Sequence, residues 1–523
     1  MQTGICTNIG NCTKADAGEK LQLPVGAPFV CPECGKDLSP IGRGASGGGR
    51  PVWVIPVVGL LLLLGLAFGV WKMFSKPGPQ GNGTSTETST APTVSEAPAG
   101  TQTILRLSGS NTIGSKLGPA LIEEFLKSQG AQNIQRVPGA KDEMSIVATL
   151  PGQSSPSAIE VKAHGSKTAF EDLGASKADI GMASRKIKNE EKEKLSSLGD
   201  LTSRASENVL GLDGLAIIVN QANSLDALTS DKIRDIFTGK ITDWSQVGGS
   251  PGPIQIYARD DKSGTFDTFK ELVLRGETLA SSAKRFEDST ELSNAVADDT
   301  KGIGFIGMPY ILSAKALKVS EGGSVPLRPT VLTVRTEDYL LSRRLYLYTP
   351  GSSQNSWVRK FVEFSLSDPG QAIVDKIGFV GQALTQAAIP KPDEAVVATN
   401  LPPDYARMIQ DAERLPFNFR FNTGSYDLDT KAYRDLGRLV QFMGDRSYQG
   451  RRIILLGFTD SVGSAESNLR LSRDRAHAVE RELVGEGIKP AVVEGFGKEL
   501  PVAGNDTEEG RQKNRRVEVW LGR

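Results

Sequence analysis

Four cysteines stand at Cys6, Cys12, Cys31 and Cys34, and none follows in the rest of a 523-residue chain. Their spacing is C-x5-C, eighteen residues, then C-P-E-C with Gly35-Lys36 behind it. The second half is a knuckle in which a tight turn aims two thiolates at one metal. Four thiolates complete a tetrahedral shell and leave no place for water, so the metal this pattern predicts is one structural zinc without a catalytic role. A module of about thirty residues is too small for a core of its own and could use such a metal to fold. Disulfides or free thiols are the competing uses of the same residues.

Three turns carry a different chemistry. Ser108-Gly109-Ser110-Asn111-Thr112 follows the apolar run ILRL, Ala183-Ser184-Arg185-Lys186 follows ADIGM, and Arg259-Asp260-Asp261-Lys262-Ser263-Gly264-Thr265 follows IQIYA. Each sets hydroxyls and backbone amides at the end of a strand, where the next helix begins and an anion is favoured. Any one of them alone is an ordinary helix cap. Gly109-x4-Gly114-Ser115-Lys116 is not a nucleotide loop, because lysine must directly follow the second glycine. His164-Gly165-Ser166 lacks the G-x-S-x-G elbow of a hydrolase. The chain has only two histidines, His164 and His477, on segments assigned to different domains, which disfavours a His-rich metal centre or a two-histidine catalytic site.

The elements that position these residues follow from composition and periodicity. With 38% hydrophobic and 23% charged residues the chain is not disordered, and 61 Lys+Arg against 61 Asp+Glu leave no basic excess for nucleic acid. Val52 to Trp71 is an uncharged apolar run, and at 1.5 Å per residue it is long enough for a hydrocarbon core of about 30 Å. Tryptophans at both ends and Lys72 and Lys76 beyond it complete a single transmembrane helix over residues 52–74. Lys36, Arg43 and Arg50 before the span, and cysteines confined to that side, predict a cytoplasmic N-terminus and an oxidising compartment for the remainder. Residues 75–101, rich in Pro, Gly, Ser and Thr, read as a flexible linker. A second break at 391–403 separates a unit at 102–390 from another at 404–523, behind an N-terminal module at 1–45. The larger unit alternates apolar strands with amphipathic helices, as an α/β domain does.

Four segments, LTSDKIRDIFTGKITDWSQVGG (Leu228 to Gly249), RDDKSGTFDTF (Arg259 to Phe269), GIGFIG (Gly302 to Gly307) and LSDPGQAIVDKIGFVG (Leu366 to Gly381), make the larger unit resemble the phosphate-type periplasmic substrate-binding proteins of ABC transporters. The resemblance implies two α/β lobes closing on a small oxyanion, phosphate first. It assigns Ser110, Thr112, Ser184, Arg259, Ser263, Gly264 and Thr265 to that ligand, with Arg259 as the main charge partner. Family members best known for phosphate have an Asp in the second turn to accept a ligand proton; here the turn reads Ala-Ser-Arg-Lys. Asp213 is the acceptor suggested by related subfamilies with a Ser-Arg turn. The stretch Gly139 to Leu173 is longer than its counterpart in the simplest members.

The last unit reads as β-α-β-α-β-β, with helices at Thr430–Met443 and Glu466–Val484. Along the second helix Leu469, Ser472, Ala476, Val479 and Leu483 form the inward stripe. GFTDSVGSAESNLRLSRDRAHAVERELV, GFGKELPVAGN and GRQKNRRVEV resemble the OmpA-like peptidoglycan-binding domain. The resemblance places Asp460 on the ammonium and Arg475 on the carboxylate of meso-diaminopimelate, with Asn468 shaping the turn. Phe458 stands where that family usually has His.

The whole therefore reads as a multidomain α/β protein: a zinc-ribbon-like module, one transmembrane helix, a two-lobed periplasmic-binding-protein fold and an OmpA-like sandwich. Its expected place is the bacterial inner membrane, with the bulk of the chain periplasmic and the bilayer, peptidoglycan and a small oxyanion as partners. Binding without catalysis is expected. A tethered sensor or scaffold is the first reading, a receptor for ABC phosphate uptake the second, and a cell-wall hydrolase a distant third.

Overall fold

The computed structural model describes residues 2–6, 20–24, 30–32, 38–40, 98–261, 263–384, 401–421, 427–448 and 450–523. The chain divides into two compact units, Met1–Val94 and Ser95–Arg523. In the first, β1 (Gln2–Cys6) lies between β2 (Lys20–Leu23) and β3 (Leu38–Pro40), antiparallel to both. Leu21, Cys31 and Leu38 are buried there. Cys6 ends β1, whereas Cys12 and Cys34 lie outside the described residues, as does the span expected at 52–74. Among the described residues no helix is long and apolar enough to cross a membrane, and no cluster of three or more His, Cys, Asp or Glu could hold a metal ion.

The second unit is built on one long mixed sheet. Its first lobe contains β4 (Gln102–Gly109), β5 (Gln132–Pro138), β6 (Glu143–Thr149), β7 (Ser157–Lys162) and β8 (Ile180–Ala183). The stretch from Gly139 that looked long supplies β6 and β7, and β5 and β6 extend this end of the sheet. β9 (Glu207–Val219) runs through the middle, buried at all thirteen positions. A strand covered on both faces reads as one apolar run, and ENVLGLDGLAIIV departs from it only where polar residues have partners. Beyond β9 come β10 (Ala227–Thr229), β11 (Gln255–Arg259), β12 (Lys284–Phe286), β13 (Gly302–Gly307), β14 (Lys315–Ala316) and β15 (Lys318–Ser320). β10 and β15 pair apart from the main sheet. β16 (Ser342–Tyr348) returns to pair with both β9 and β8, so the sheet order is β12-β11-β13-β9-β16-β8-β4-β7-β6-β5.

Helices cover the faces. In the first lobe α1 (Gly118–Ser128) begins with Pro119, which fits a first turn because its missing N–H would be unpaired there anyway. It buries Leu121, Ile122, Phe125 and Leu126 on one face, and Phe125 meets Trp357 and Phe361 edge to face. α2 (Ser166–Gly174) and α3 (Asn189–Lys194) complete the helices of that lobe up to β9. The second lobe carries α4 (Ser230–Phe237), α5 (Gly264–Phe269) and α6 (Ser289–Asp298), whose first turn is capped by the Asp288 carboxylate at 2.7 and 2.9 Å. After α7 (Val331–Arg335), helices α8 (Ser356–Leu366) and α9 (Asp368–Ile377) pack back on the first lobe.

The C-terminal domain follows α10 (Pro403–Ile409) with β17 (Ala412–Arg420), α11 (Thr430–Met443), β18 (Arg452–Gly457), α12 (Ala465–Gly485), β19 (Val492–Gly495), α13 (Glu508–Asn514) and β20 (Arg516–Gly522). The sheet order is β17-β20-β18-β19, with only β18 and β19 parallel. The sequence reading lacked α13, a seven-residue helix whose polar sequence EEGRQKN has no apolar stripe to announce it. A second correction concerns α12. Ser472, Ala476, Val479 and Leu483 are buried as the stripe requires, but Leu469 at its first turn is 44% exposed and Arg475 is buried instead.

Candidate functional site

The three turns meet at the carboxyl ends of β4, β8 and β11. Gly109 ends β4 with φ +135°, and a Cβ there would lie 2.0 Å from the Met182 carbonyl. Only glycine permits this approach, which lets the Ser110 amide donate to Met182 O at 2.8 Å and joins the first turn to the strand of the second. In the second turn the Ser184 amide donates to Ser166 Oγ at 2.9 Å, and the two hydroxyls lie 3.1 Å apart. In the third, Ser263 caps α5 by accepting from the Phe266 amide. Gly264 begins that helix against the first lobe: a Cβ there would stand 2.8 Å from Thr112 Cα.

These residues border two adjoining hollows. Thr112, Asp213, Arg259, Ser263, Gly264 and Thr265 line one of about 260 Å³. Ser110, Thr112, Ser184 and Arg343 line a more open one of about 610 Å³. All eight anion-site residues expected from sequence are thus brought to one cleft, with Thr112 common to both parts. The Ser110 hydroxyl is buried and has no protein partner among the described residues. That makes it a donor or acceptor left for a ligand or water.

The cation at the junction is Arg343, which the sequence reading missed. It is 8% exposed, and its guanidinium donates to Thr112 Oγ1 at 2.8 Å, Ser184 Oγ at 3.1 Å, Asp213 Oδ2 at 3.3 Å and Glu271 Oε2 at 3.1 Å. Asp213 also accepts from Thr268 Oγ1 at 3.1 Å. Arg259, expected to be the main charge partner, lines the smaller hollow but donates to the carbonyls of Phe286 at 3.3 Å and Glu287 at 2.7 Å and to the Ser289 hydroxyl. Burial lowers its pKa, with Asp260 and Asp288 opposing. Arg185 in the second turn is neutralised by Glu191 at 2.7 Å, so the extra cation of that turn does not stand free in the cleft. The signal for Arg343 was present: two consecutive arginines in the otherwise apolar strand LSRRLYLY need buried partners on both faces.

In the C-terminal domain, Gly457 at the end of β18 and Gly495 at the end of β19 let α12 lie close. A Cβ at the former would be 2.0 Å from the Ser472 carbonyl, and at the latter 2.5 Å from the Arg473 amide. Asp460 follows β18, is 6% exposed and accepts from the Val462 amide at 3.0 Å and from Arg515 at 2.9 Å. Arg475 is 4% exposed in α12, its guanidinium carbon 5.6 Å from the centre of the Phe421 ring. Asn468 is buried in the first turn of the same helix, with its amide nitrogen unpartnered among the described residues. Arg515 was not singled out from sequence. It also contacts Glu508 at 2.5 Å, and so links Asp460 to the helix that the sequence reading lacked. Phe458, in place of the family's His, stacks at 5.8 Å on Phe496 under the Arg516 guanidinium at 4.1 Å, an apolar and cationic setting where imidazolium would be penalised. His164 and His477 are surface residues beside Glu143 at 3.0 Å and Glu480 at 2.7 Å.

Residues 94–369 match the family described as the PBP superfamily domain. The chain belongs to that superfamily. Residues 420–515 match the OmpA family. The phosphate-binding protein PstS of Staphylococcus saprophyticus is 31% identical over 239 residues, covering 44% of this chain and 70% of that protein. The crystal structure of an ABC-type phosphate transport receptor from Vibrio cholerae is 23% identical, covers 53% of this chain and 99% of its own, and gives a TM-score of 0.41. For the C-terminal region, the peptidoglycan-associated lipoprotein of Burkholderia pseudomallei is 32% identical, covering 20% of this chain and 88% of that one with a TM-score of 0.19. The chain therefore joins a PBP domain to an OmpA-like domain.

Proposed function

We propose that the PBP domain binds a small oxyanion, phosphate in the first place, while the OmpA-like domain holds the peptidoglycan of the cell envelope, so that the protein is a wall-anchored sensor or scaffold and not an enzyme. The observation that carries this reading is the convergence of three strand-end turns on one cleft around Arg343. Hydroxyls and a guanidinium at such a point discriminate anions by charge-assisted bonds. The resemblance to the phosphate-binding protein PstS supports phosphate as the ligand.

In this reading Ser110, Thr112, Ser184, Ser263, Gly264 and Thr265 supply neutral donors, and Arg259 and Arg343 supply charge. Asp213 is an acceptor-only group while ionised, so it accepts the proton that hydrogen phosphate carries and sulfate lacks. At the wall, Asp460 takes the ammonium and Arg475 the carboxylate of meso-diaminopimelate, with Asn468 holding the turn. Asp460 exchanges its Arg515 contact for the ligand's ammonium. Anchoring in an inner membrane through residues 52–74, with the cysteine module on the cytoplasmic side, belongs to the same proposal.

Calorimetry of the full-length protein with inorganic phosphate and with sulfate tests the anion site. Phosphate should bind, Arg259→Ala should weaken it, and Asp213→Asn should reduce the preference for phosphate over sulfate. Absence of phosphate binding by the wild type refutes the reading. Co-sedimentation with diaminopimelate-type wall tests the second site, and retention of both Asp460→Ala and Arg475→Ala on the wall refutes it.

A further inference from the structure

Two strands carry the sheet from one lobe of the PBP domain to the other. β9 pairs with β16 along Glu207–Gly214 and with β13 along Leu215–Val219, and β16 reaches β8 through Tyr346–Tyr348. A change in the angle between the lobes bends the chain near the middle of β9 and the start of β16, where Asp213 faces Arg343. The OmpA-like domain is fastened at this point and to both lobes.

On the first lobe, Thr430 donates to Glu207 at 2.7 Å, Arg434 donates to Asn208, and the Arg204 guanidinium lies 3.0 Å from the centre of the Tyr433 ring. On the second, the Val325 amide donates to Pro501 O at 3.0 Å, and Val502 and Ala503 enter that lobe's apolar core beside Leu327. Between them lies the segment leading into β16. Asn418 donates to Thr336 O at 2.9 Å and Asp338 at 2.7 Å, Lys513 donates to Tyr339 O at 2.9 Å and Ser342 Oγ at 3.0 Å, and Arg344 pairs with Asp429 at 2.8 Å. Successive residues of a strand face opposite ways. Arg343 therefore enters the ligand cleft, while its two neighbours, Ser342 and Arg344, are gripped by the C-terminal domain.

We propose that the OmpA-like domain is a clamp on the hinge of the PBP domain. By holding both lobes and the intervening strand together, it keeps the cleft near the arrangement in which Thr112 meets Gly264, whether or not an anion is present. A lone two-lobed binding protein opens and shuts on its ligand; here that motion first requires breaking contacts to another domain, which makes the lobe angle and the docking of the wall-binding domain one linked equilibrium. The clamp rests on the fold and on these contacts, not on the identity of the ligand.

The test measures the distance between probes at Lys127 on α1 and Lys232 on α4 in the full chain, attached through non-natural residues so that the native cysteines play no part. Wild type should give one narrow distribution that inorganic phosphate leaves in place. Arg204→Ala combined with Thr430→Ala and Arg434→Ala, which removes the three first-lobe contacts named above and leaves both cores intact, should broaden it toward longer distances. Hydrogen exchange should rise in β9 and β16 of that variant while α12 keeps wild-type protection, which shows that the C-terminal domain remains folded. A broad distribution in wild type that phosphate narrows overturns the clamp, as does a variant with the wild-type distribution. If phosphate binds to neither protein, the ligand reading fails, and the distances without phosphate still decide the clamp.

Discussion

Replacing Glu337 by Gln separates the electrostatic content of the interdomain network from its shape. The Glu337 carboxylate accepts from Arg344 at 2.8 and 3.0 Å and lies 3.7 Å from Lys431 and 3.8 Å from Arg420. Burial alone would raise its pKa; the charges of Arg344, Lys431 and Arg420 outweigh burial and hold it at about 2, against 4.5 in the unfolded chain. Because the folded value is the lower one, the stabilisation is complete above pH 4.5 and is lost as pH falls through the folded value, about 2. At about 1.4 kcal/mol per unit the full contribution is about 3 kcal/mol, and about 2 kcal/mol of it has gone by pH ~3. At pH ~6 Glu337→Gln should be destabilised by about 3 kcal/mol, since it leaves Arg344 and Lys431 short of a buried counter-charge. Urea unfolding of the full-length chain at a series of pH values, followed by tryptophan emission, reads the difference. The gap between wild type and variant should shrink by about 2 kcal/mol between pH ~6 and pH ~3. A gap that stays constant over that range would refute the charge argument and leave Glu337 as a packing residue.

Two further perturbations bear on separate parts of the chain. Gly264→Ala sets a Cβ 2.8 Å from Thr112 Cα and 3.0 Å from its hydroxyl, against backbone that has little room to yield. The cleft should be held apart at that point and phosphate affinity should fall by about tenfold, an overpacking cost of about 1.4 kcal/mol, with equal affinity in calorimetry as the contrary result. The zinc proposal predicts one metal ion per chain in a reduced peptide of residues 1–45, measured by elemental analysis. Apo peptide under the same conditions would leave Cys6, Cys12, Cys31 and Cys34 as thiols or disulfides.

Much of this protein is decided within short stretches of chain. The alternation of apolar runs with amphipathic helices, the strand-end turns at Ser110, Ser184 and Ser263, and the helix at Thr430–Met443 all follow from periodicity and turn chemistry over one or two dozen residues. The motifs around Asp460 and Gly264 are equally local, and through them the two domain families are legible in the sequence. What tertiary structure alone decided are contacts between residues far apart in the chain. Arg343 reaches Thr112 across 231 positions, and Arg515 reaches Asp460 across 55. The sequence marked both arginines as charges in apolar or basic surroundings but held nothing to say which carboxylate or hydroxyl would meet them. Leu469 shows the same limit, since its place in the helical repeat is inward and yet it is 44% exposed. The docking of the C-terminal domain on β16 is the largest case. A linker composition at 391–403 predicts a boundary between domains; whether the domains on either side separate or join depends on complementary charge and apolar surface contributed by both, a property that no single stretch of sequence contains.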